Sequence, residues 1–259
     1  MSAATPPASA TPALATRGLD KSFGSFAVTQ NVEIAIPQGA RYALIGPNGA
    51  GKTTLINLMT GLLKPDRGSI LLNGADITSL EAGERVKRGL TRTFQINQLF
   101  PNLSALEAVT LVVAERQRFS GNWWSRLPSF RDAIEEADAI LRSLRFGGDR
   151  DRPTRELPYG RQRLLEIGLA LATKPKVLLL DEPAAGVPKD ESAELFQAIS
   201  QLSADITVLF IEHDMDLVFR FATRIIVLVA GQILVEGTPA EIGADPRVRE
   251  VYLGRGHHG

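Results

Sequence analysis

Three stretches of the 259-residue chain combine residue types that could handle a phosphate chain. Gly46-Pro47-Asn48-Gly49-Ala50-Gly51-Lys52-Thr53 fits G-x-x-x-x-G-K-[ST], with an apolar strand-like run over 41–45 before it and a helical pattern after it. In that setting glycines let successive backbone N–H groups and a helix N-terminus face an anion. Lys52 would reach the β- and γ-phosphates, and the Thr53 hydroxyl would ligate Mg²⁺. The second stretch is Val177-Leu178-Leu179-Leu180, an apolar run that ends in Asp181 and Glu182. Strand C-termini of a parallel sheet converge on the ligand side, so Asp181 suits a Mg²⁺ shell and Glu182 can polarise an attacking water. The third is His213, which follows an apolar run over 206–211 and Glu212, and so ends a predicted core strand within reach of a γ-phosphate.

Each piece has a plainer reading alone: a helix-capping turn, a strand meeting solvent, a structural histidine. What favours the phosphate reading is their setting. From Arg17 to Ile36 the pattern is short and β-like, ending at the turn Pro37-Gln38-Gly39. A helical run, 53–63, follows the Gly-rich loop and stops at Lys64-Pro65-Asp66. Between about 95 and 163 the periodicity is helical, with apolar residues at three- and four-residue spacing over 105–118 and 130–146. Strand-like runs at 177–180, 206–211 and 225–229 then alternate with helical runs at 189–203 and 215–222, which predicts parallel strands with helical crossovers.

Composition narrows the class. Twenty-nine basic against 29 acidic residues remove the charge expected of a general nucleic-acid binder. Zero cysteines exclude disulfides, thiolate nucleophiles and Cys-ligated zinc. The first sixteen residues carry no charge and no apolar core, unlike a secretion signal, and are expected to form a disordered tail. No apolar stretch approaches the ~18 residues of a membrane span. There is no internal repeat, so a two-copy device would need a partner.

In this order the motifs resemble those of the ATP-binding cassette (ABC) ATPases, over about Arg17 to Leu253. Gly46 to Thr54 resembles their Walker A motif, Val177 to Glu182 their Walker B with its catalytic Glu, and Ile211 to Met215 their switch-histidine segment. Gln95, in Arg92-Thr93-Phe94-Gln95, is similar to the Q-loop glutamine, which the family uses at Mg²⁺ and the attacking water. Phe23 stands where the family stacks an aromatic ring on adenine. Leu157-Pro158-Tyr159-Gly160-Arg161 falls at the signature loop, which in the family closes on ATP held by a second cassette. Here it departs from Leu-Ser-Gly-Gly-Gln: Pro158 replaces the serine, Tyr159 the first glycine and Arg161 the glutamine, and a helix is expected to start only at Leu164. The turn Ala184-Ala185-Gly186-Val187-Pro188 lacks the polar residue that usually precedes its proline.

Tyr159-Gly160, the segment Asn97 to Leu103, the Glu-His-Asp-Met form of the switch and the ending Asp245 to Gly254 resemble the branched-chain amino acid importer subgroup. The resemblance implies an α/β fold: a P-loop NTPase core with a mainly parallel sheet, an antiparallel β subdomain and an inserted helical subdomain. A single domain over 17–254 is expected, with 17–94 and 164–254 as core plus antiparallel β, 95–163 as helical subdomain, and a tail at 255–259. It further implies ATP and Mg²⁺ as ligands and a head-to-tail dimer with a second ABC ATPase. Membrane permease subunits would be direct partners, a solute-binding protein an indirect one, and the site of action the cytoplasmic face of the membrane. The competing expectations are a weakly hydrolysing interaction module, limited by Pro158, or the ATPase of another ABC system. Trp123-Trp124, with arginines nearby, is either a packing pair or a surface near headgroups or membrane subunits.

Overall fold

The computed structural model describes residues 11–93, 100–119 and 128–253. A long hairpin opens the fold: β1 (Leu14–Phe23) and β2 (Phe26–Ile36) pair antiparallel around the turn Gly24-Ser25. Then come β3 (Arg41–Ile45), α1 (Lys52–Thr60), β4 (Arg67–Leu72), β5 (Ala75–Asp76), α2 (Ala82–Lys87) and β6 (Leu90–Arg92). A helical stretch follows, with α3 (Ala105–Phe119), α4 (Pro128–Ser143) and α5 (Tyr159–Ala172). The last third alternates: β7 (Val177–Asp181), α6 (Lys189–Ser200), β8 (Thr207–Ile211), α7 (Met215–Phe221), β9 (Arg224–Val229), β10 (Gln232–Gly237), α8 (Pro239–Ala244) and α9 (Pro246–Leu253).

Two sheets result. One is antiparallel, ordered β2-β1-β4-β5; the other is ordered β10-β9-β3-β8-β7-β6 and is parallel except for β10. Period-two alternation splits the central strands between two cores. Ala43, Ile45, Leu178, Leu180, Val208 and Phe210 face the helices α3 to α7, whereas Leu44, Leu179, Leu209 and Ile211 pack with α1 and the antiparallel sheet. Strands buried on both faces read as continuous apolar runs, which is why 177–180 and 225–229 show no polar alternation.

Two sequence expectations need correction. The tail is shorter than 1–16: Ala13 is buried, and Leu14 to Thr16 pair with both β2 and β4, with the Thr16 hydroxyl donating to the Val32 carbonyl. Ala and Thr fit a strand paired on both sides as readily as a tail, and composition does not separate the two. The helix expected from Leu164 begins at Tyr159, so the boundary drawn at 163/164 falls inside α5. Pro158 caps it, since its fixed φ and missing N–H cost nothing at a helix start. Trp123-Trp124 lies outside the described residues.

Candidate functional site

The loop between β3 and α1 is built for a close backbone approach. Gly51, the residue before α1, has φ of 100°, and a Cβ there would sit 2.6 Å from the Val28 carbonyl oxygen of β2. Only glycine tolerates both the conformation and the contact. α1 has no side-chain cap and no acidic residue in its first turn, so its leading N–H groups are left for an anion. Pro47 is half-buried, Ala50 is buried, and Asn48, Gly49 and Thr53 are exposed, while Thr54 is half-buried. Lys52 is buried, and its Nζ donates to the carbonyls of Gly46 (2.8 Å) and Pro47 (3.1 Å). Desolvation lowers its pKa, opposed by the charges of Glu182 and Asp181, so both acids lie within electrostatic reach of the lysine.

Register explains that convergence. β7 runs parallel to β8, with Asp181 opposite Ile211, and β8 is parallel to β3, so the ends of β7 and β8 meet beside the loop after β3. Asp181 Oδ2 accepts from Arg92 Nη2, and Arg92 Nη1 donates to Asn57 Oδ1 of α1 at 2.6 Å. His213 Nε2 and Glu182 Oε1 lie 2.7 Å apart. Glu182 adopts φ of 49°, a left-handed conformation that costs a non-glycine residue about 1–2 kcal/mol. Its backbone N–H donates to the Ile211 carbonyl, and its own carbonyl accepts from Ala185 N–H, both at 3.0 Å. Glu212, buried, accepts from the N–H groups of Ala184 (2.9 Å) and His213 (3.1 Å), and burial pushes its carboxyl up.

Phe23 stands half exposed at the tip of the β1–β2 hairpin, next to Phe26, and Lys21 Nζ lies 5.7 Å from its ring centroid. The predicted signature segment is at the start of α5, on α6 and the turn after Glu182. Leu157 is buried and Pro158 exposed; Gly160 N–H donates to Glu191 Oε2 of α6 at 3.1 Å, and Arg161 Nη1 to the Arg145 carbonyl at 2.9 Å. Gln95 lies outside the described residues.

Sequence reasoning passed over Arg92, Asn57, Glu212, Arg163, Glu191 and Tyr252. Arg92 ends the three-residue strand Leu90–Arg92, too short for periodicity to mark, whereas Glu212 was visible as an acid inside the histidine segment. Tyr252, on α9, lies against the backbone of Gly46, and burial pushes its hydroxyl up to about 12. Nothing in its spacing from residue 46 signals that contact.

A phosphate-type loop closing a central parallel strand, acids at the end of a neighbouring strand and a flanking antiparallel sheet define a P-loop nucleotide-binding cassette. The chain belongs to the ABC transporter family, whose pattern matches residues 29–185; a second pattern, that of the branched-chain amino acid ATP-binding cassette transporter, matches 232–258. It is 37% identical over 252 residues, 94% of this chain and 98% of the relative, to the high-affinity branched-chain amino acid transport ATP-binding protein BraF of Pseudomonas aeruginosa. Identity to the corresponding LivG protein of Escherichia coli K12 is 38% with the same coverage. Among solved structures, the ADP conformation of MJ1267, an ATP-binding cassette of an ABC transporter, superposes with a TM-score of 0.82 at 35% identity, covering 93% of this chain and 98% of that one. A dimeric cassette, MJ0796, shares the fold at 24% identity and a TM-score of 0.72.

Proposed function

We propose that the chain is the ATP-hydrolysing subunit of an importer for branched-chain amino acids, acting at the cytoplasmic membrane face. The observation that carries this reading is the convergence of Lys52, Asp181, Glu182 and His213 around one loop. Full-length likeness to BraF and LivG and the second match at 232–258 supply the substrate class.

The residues fit a magnesium nucleotide. The ion would rest on Thr53, in the first turn of α1, and Asp181, at the end of β7, with Gln95 from outside the described residues and phosphate oxygens completing the set. Such a mixed, oxygen-rich set suits Mg²⁺, which keeps several waters and binds through one or two protein groups plus phosphates. When bound, the ion would neutralise charge on the phosphates. Gly46 to Thr54 would wrap the phosphate chain with backbone N–H groups, and Lys52 would turn from the carbonyls of Gly46 and Pro47 to the β- and γ-phosphates. Phe23 would stack on adenine. Glu182 would orient and deprotonate water, while His213 holds Glu182 and the γ-phosphate.

A second cassette would bind head to tail, each signature segment, Leu157 to Arg161, completing the other chain's site. Binding energy shared across both chains then favours closure, and hydrolysis releases it to the permease subunits. The test is reconstitution with the permease and solute-binding subunits in vesicles. ATP-dependent leucine uptake is expected, lost in Lys52→Ala and Glu182→Gln. ATP hydrolysis without leucine uptake would overturn the substrate assignment, and absence of hydrolysis would overturn the enzymatic one.

A further inference from the structure

The turn that carries Glu182 is gripped by the start of α5 in the same chain. The Tyr159 hydroxyl donates to the Ala185 carbonyl at 3.3 Å, and Arg163 Nη2 donates to that carbonyl at 3.3 Å and to the Tyr159 hydroxyl at 3.1 Å. The guanidinium also lies over the Tyr159 ring, 5.3 Å from its centroid, and Nη1 donates to Glu166 Oε2 at 3.0 Å. Gly186 completes the fit: its φ is 76°, and a Cβ there would meet the tyrosine ring at 3.3 Å.

Arg163 and Glu166 are buried at 7% and 9% exposure, and Arg163 Nε and Glu166 Oε1 have no hydrogen-bond partner. A buried ion pair with two orphaned polar atoms is a costly way to hold a helix, and well-packed apolar residues would serve stability as well or better. What the pair supplies instead is direction. Arg163 Nη2 is aimed at one peptide carbonyl, Ala185, whose own N–H closes the turn on the Glu182 carbonyl at 3.0 Å. Glu182 occupies a left-handed conformation that has to be imposed from outside. Glu212 holds the same turn from the other side through Ala184 N–H.

We propose that Tyr159 and Arg163 are positioning residues that fix the Glu182 turn in cis, so that the partner-facing start of α5 and the chain's own water-orienting carboxylate move as one body. The inference rests on the proposed role of Glu182 in hydrolysis. It gives Tyr159, which stands where a glycine is usual, a task inside its own chain. Displacing α5 on meeting a second cassette would thereby shift Glu182.

The test is steady-state hydrolysis in the assembled transporter for Tyr159→Phe, Arg163→Lys and Arg163→Gln, alongside Glu182→Gln. Tyr159→Phe removes one hydroxyl and is expected to lower kcat about three- to tenfold, the worth of one neutral hydrogen bond, with KM for ATP unchanged. Arg163→Gln is expected to cost more and Arg163→Lys to restore part of it. ATP-driven dimerisation of Tyr159→Phe in a Glu182→Gln background should match that of Glu182→Gln alone, which separates positioning in cis from contact with the partner's nucleotide. Wild-type kcat in Tyr159→Phe, or a KM that rises in step with a falling kcat, would overturn the proposal while Glu182→Gln remains inactive. If Glu182→Gln itself hydrolyses normally, the underlying role of Glu182 fails instead.

Discussion

Glu182 and His213 are joined side chain to side chain, Oε1 to Nε2 at 2.7 Å, across the ends of two parallel strands. The link aims a carboxylate whose backbone is already held in a left-handed conformation. Glu182→Gln keeps size and hydrogen bonding but removes the proposed base. Turnover should fall by roughly 10²–10⁴, as for loss of a general base, while nucleotide affinity stays within about twofold. Single-turnover hydrolysis and calorimetric titration with magnesium nucleotide measure the two quantities separately.

Arg92 bridges Asp181 and Asn57, with the arginine and aspartate side chains only 14% and 12% exposed. Removing one partner of a largely buried pair leaves an uncompensated charge, at a cost of about 3–5 kcal/mol. Arg92→Ala should therefore lower the melting temperature of the nucleotide-free chain. A cation at Asp181 would replace the lost charge, so the rise in melting temperature on adding magnesium with ADP should be larger in the variant than in the wild type. Equal or smaller rises, read by differential scanning calorimetry, would detach Asp181 from the metal.

The difference between what could and could not be read from the sequence follows contact range. Gly46 to Thr53 was legible because loop, strand and helix are local, and the apolar run into Asp181 because a strand buried on both faces leaves a continuous signal. The start of α5 was misplaced by five residues because Pro158-Tyr159-Gly160 reads as a loop. Yet Pro158 is a tolerated cap, and Gly160 gains an acceptor in Glu191, 31 residues away. The hold of Arg163 on Ala185 and that of Arg92 on Asp181 cross between elements far apart in the chain, and no periodicity reports such pairs.

Glu166 makes stability depend on pH in an unusual direction. Burial raises its pKa from 4.5 to about 7, against the opposing pull of Arg163. A folded-state carboxyl that holds its proton more tightly than the unfolded one contributes most below about 4.5, and its contribution is lost as pH rises through about 7. The span is about 3 kcal/mol at most, since each pKa unit corresponds to ~1.4 kcal/mol. Between about pH 5 and 7.5 the wild type should lose stability relative to Glu166→Gln, which has no proton to lose. Urea unfolding of both proteins across that range measures the divergence, and parallel pH profiles would refute it.

Glu191 sets the last expectation. Its carboxylate accepts from Gly160 N–H at 3.1 Å, so it covers the helix start that the proposed dimer would offer to a partner's γ-phosphate. Glu191 sits in the first turn of α6, where an acid normally folds back to the N–H of the capping residue. The cap here is Pro188, which has no N–H to receive it. The side chain is thus released toward α5. In the proposed dimer, closure on nucleotide would displace a carboxylate from a backbone N–H, a charge-assisted contact of about 1.5 kcal/mol or roughly tenfold in equilibrium. In a Glu182→Gln background, expected to slow hydrolysis, Glu191→Ala should dimerise at about tenfold lower ATP than the parent. Glu191→Asp, one methylene too short to reach Gly160, should behave alike. Sedimentation velocity across an ATP titration distinguishes this from a purely structural role, in which both substitutions would weaken the dimer.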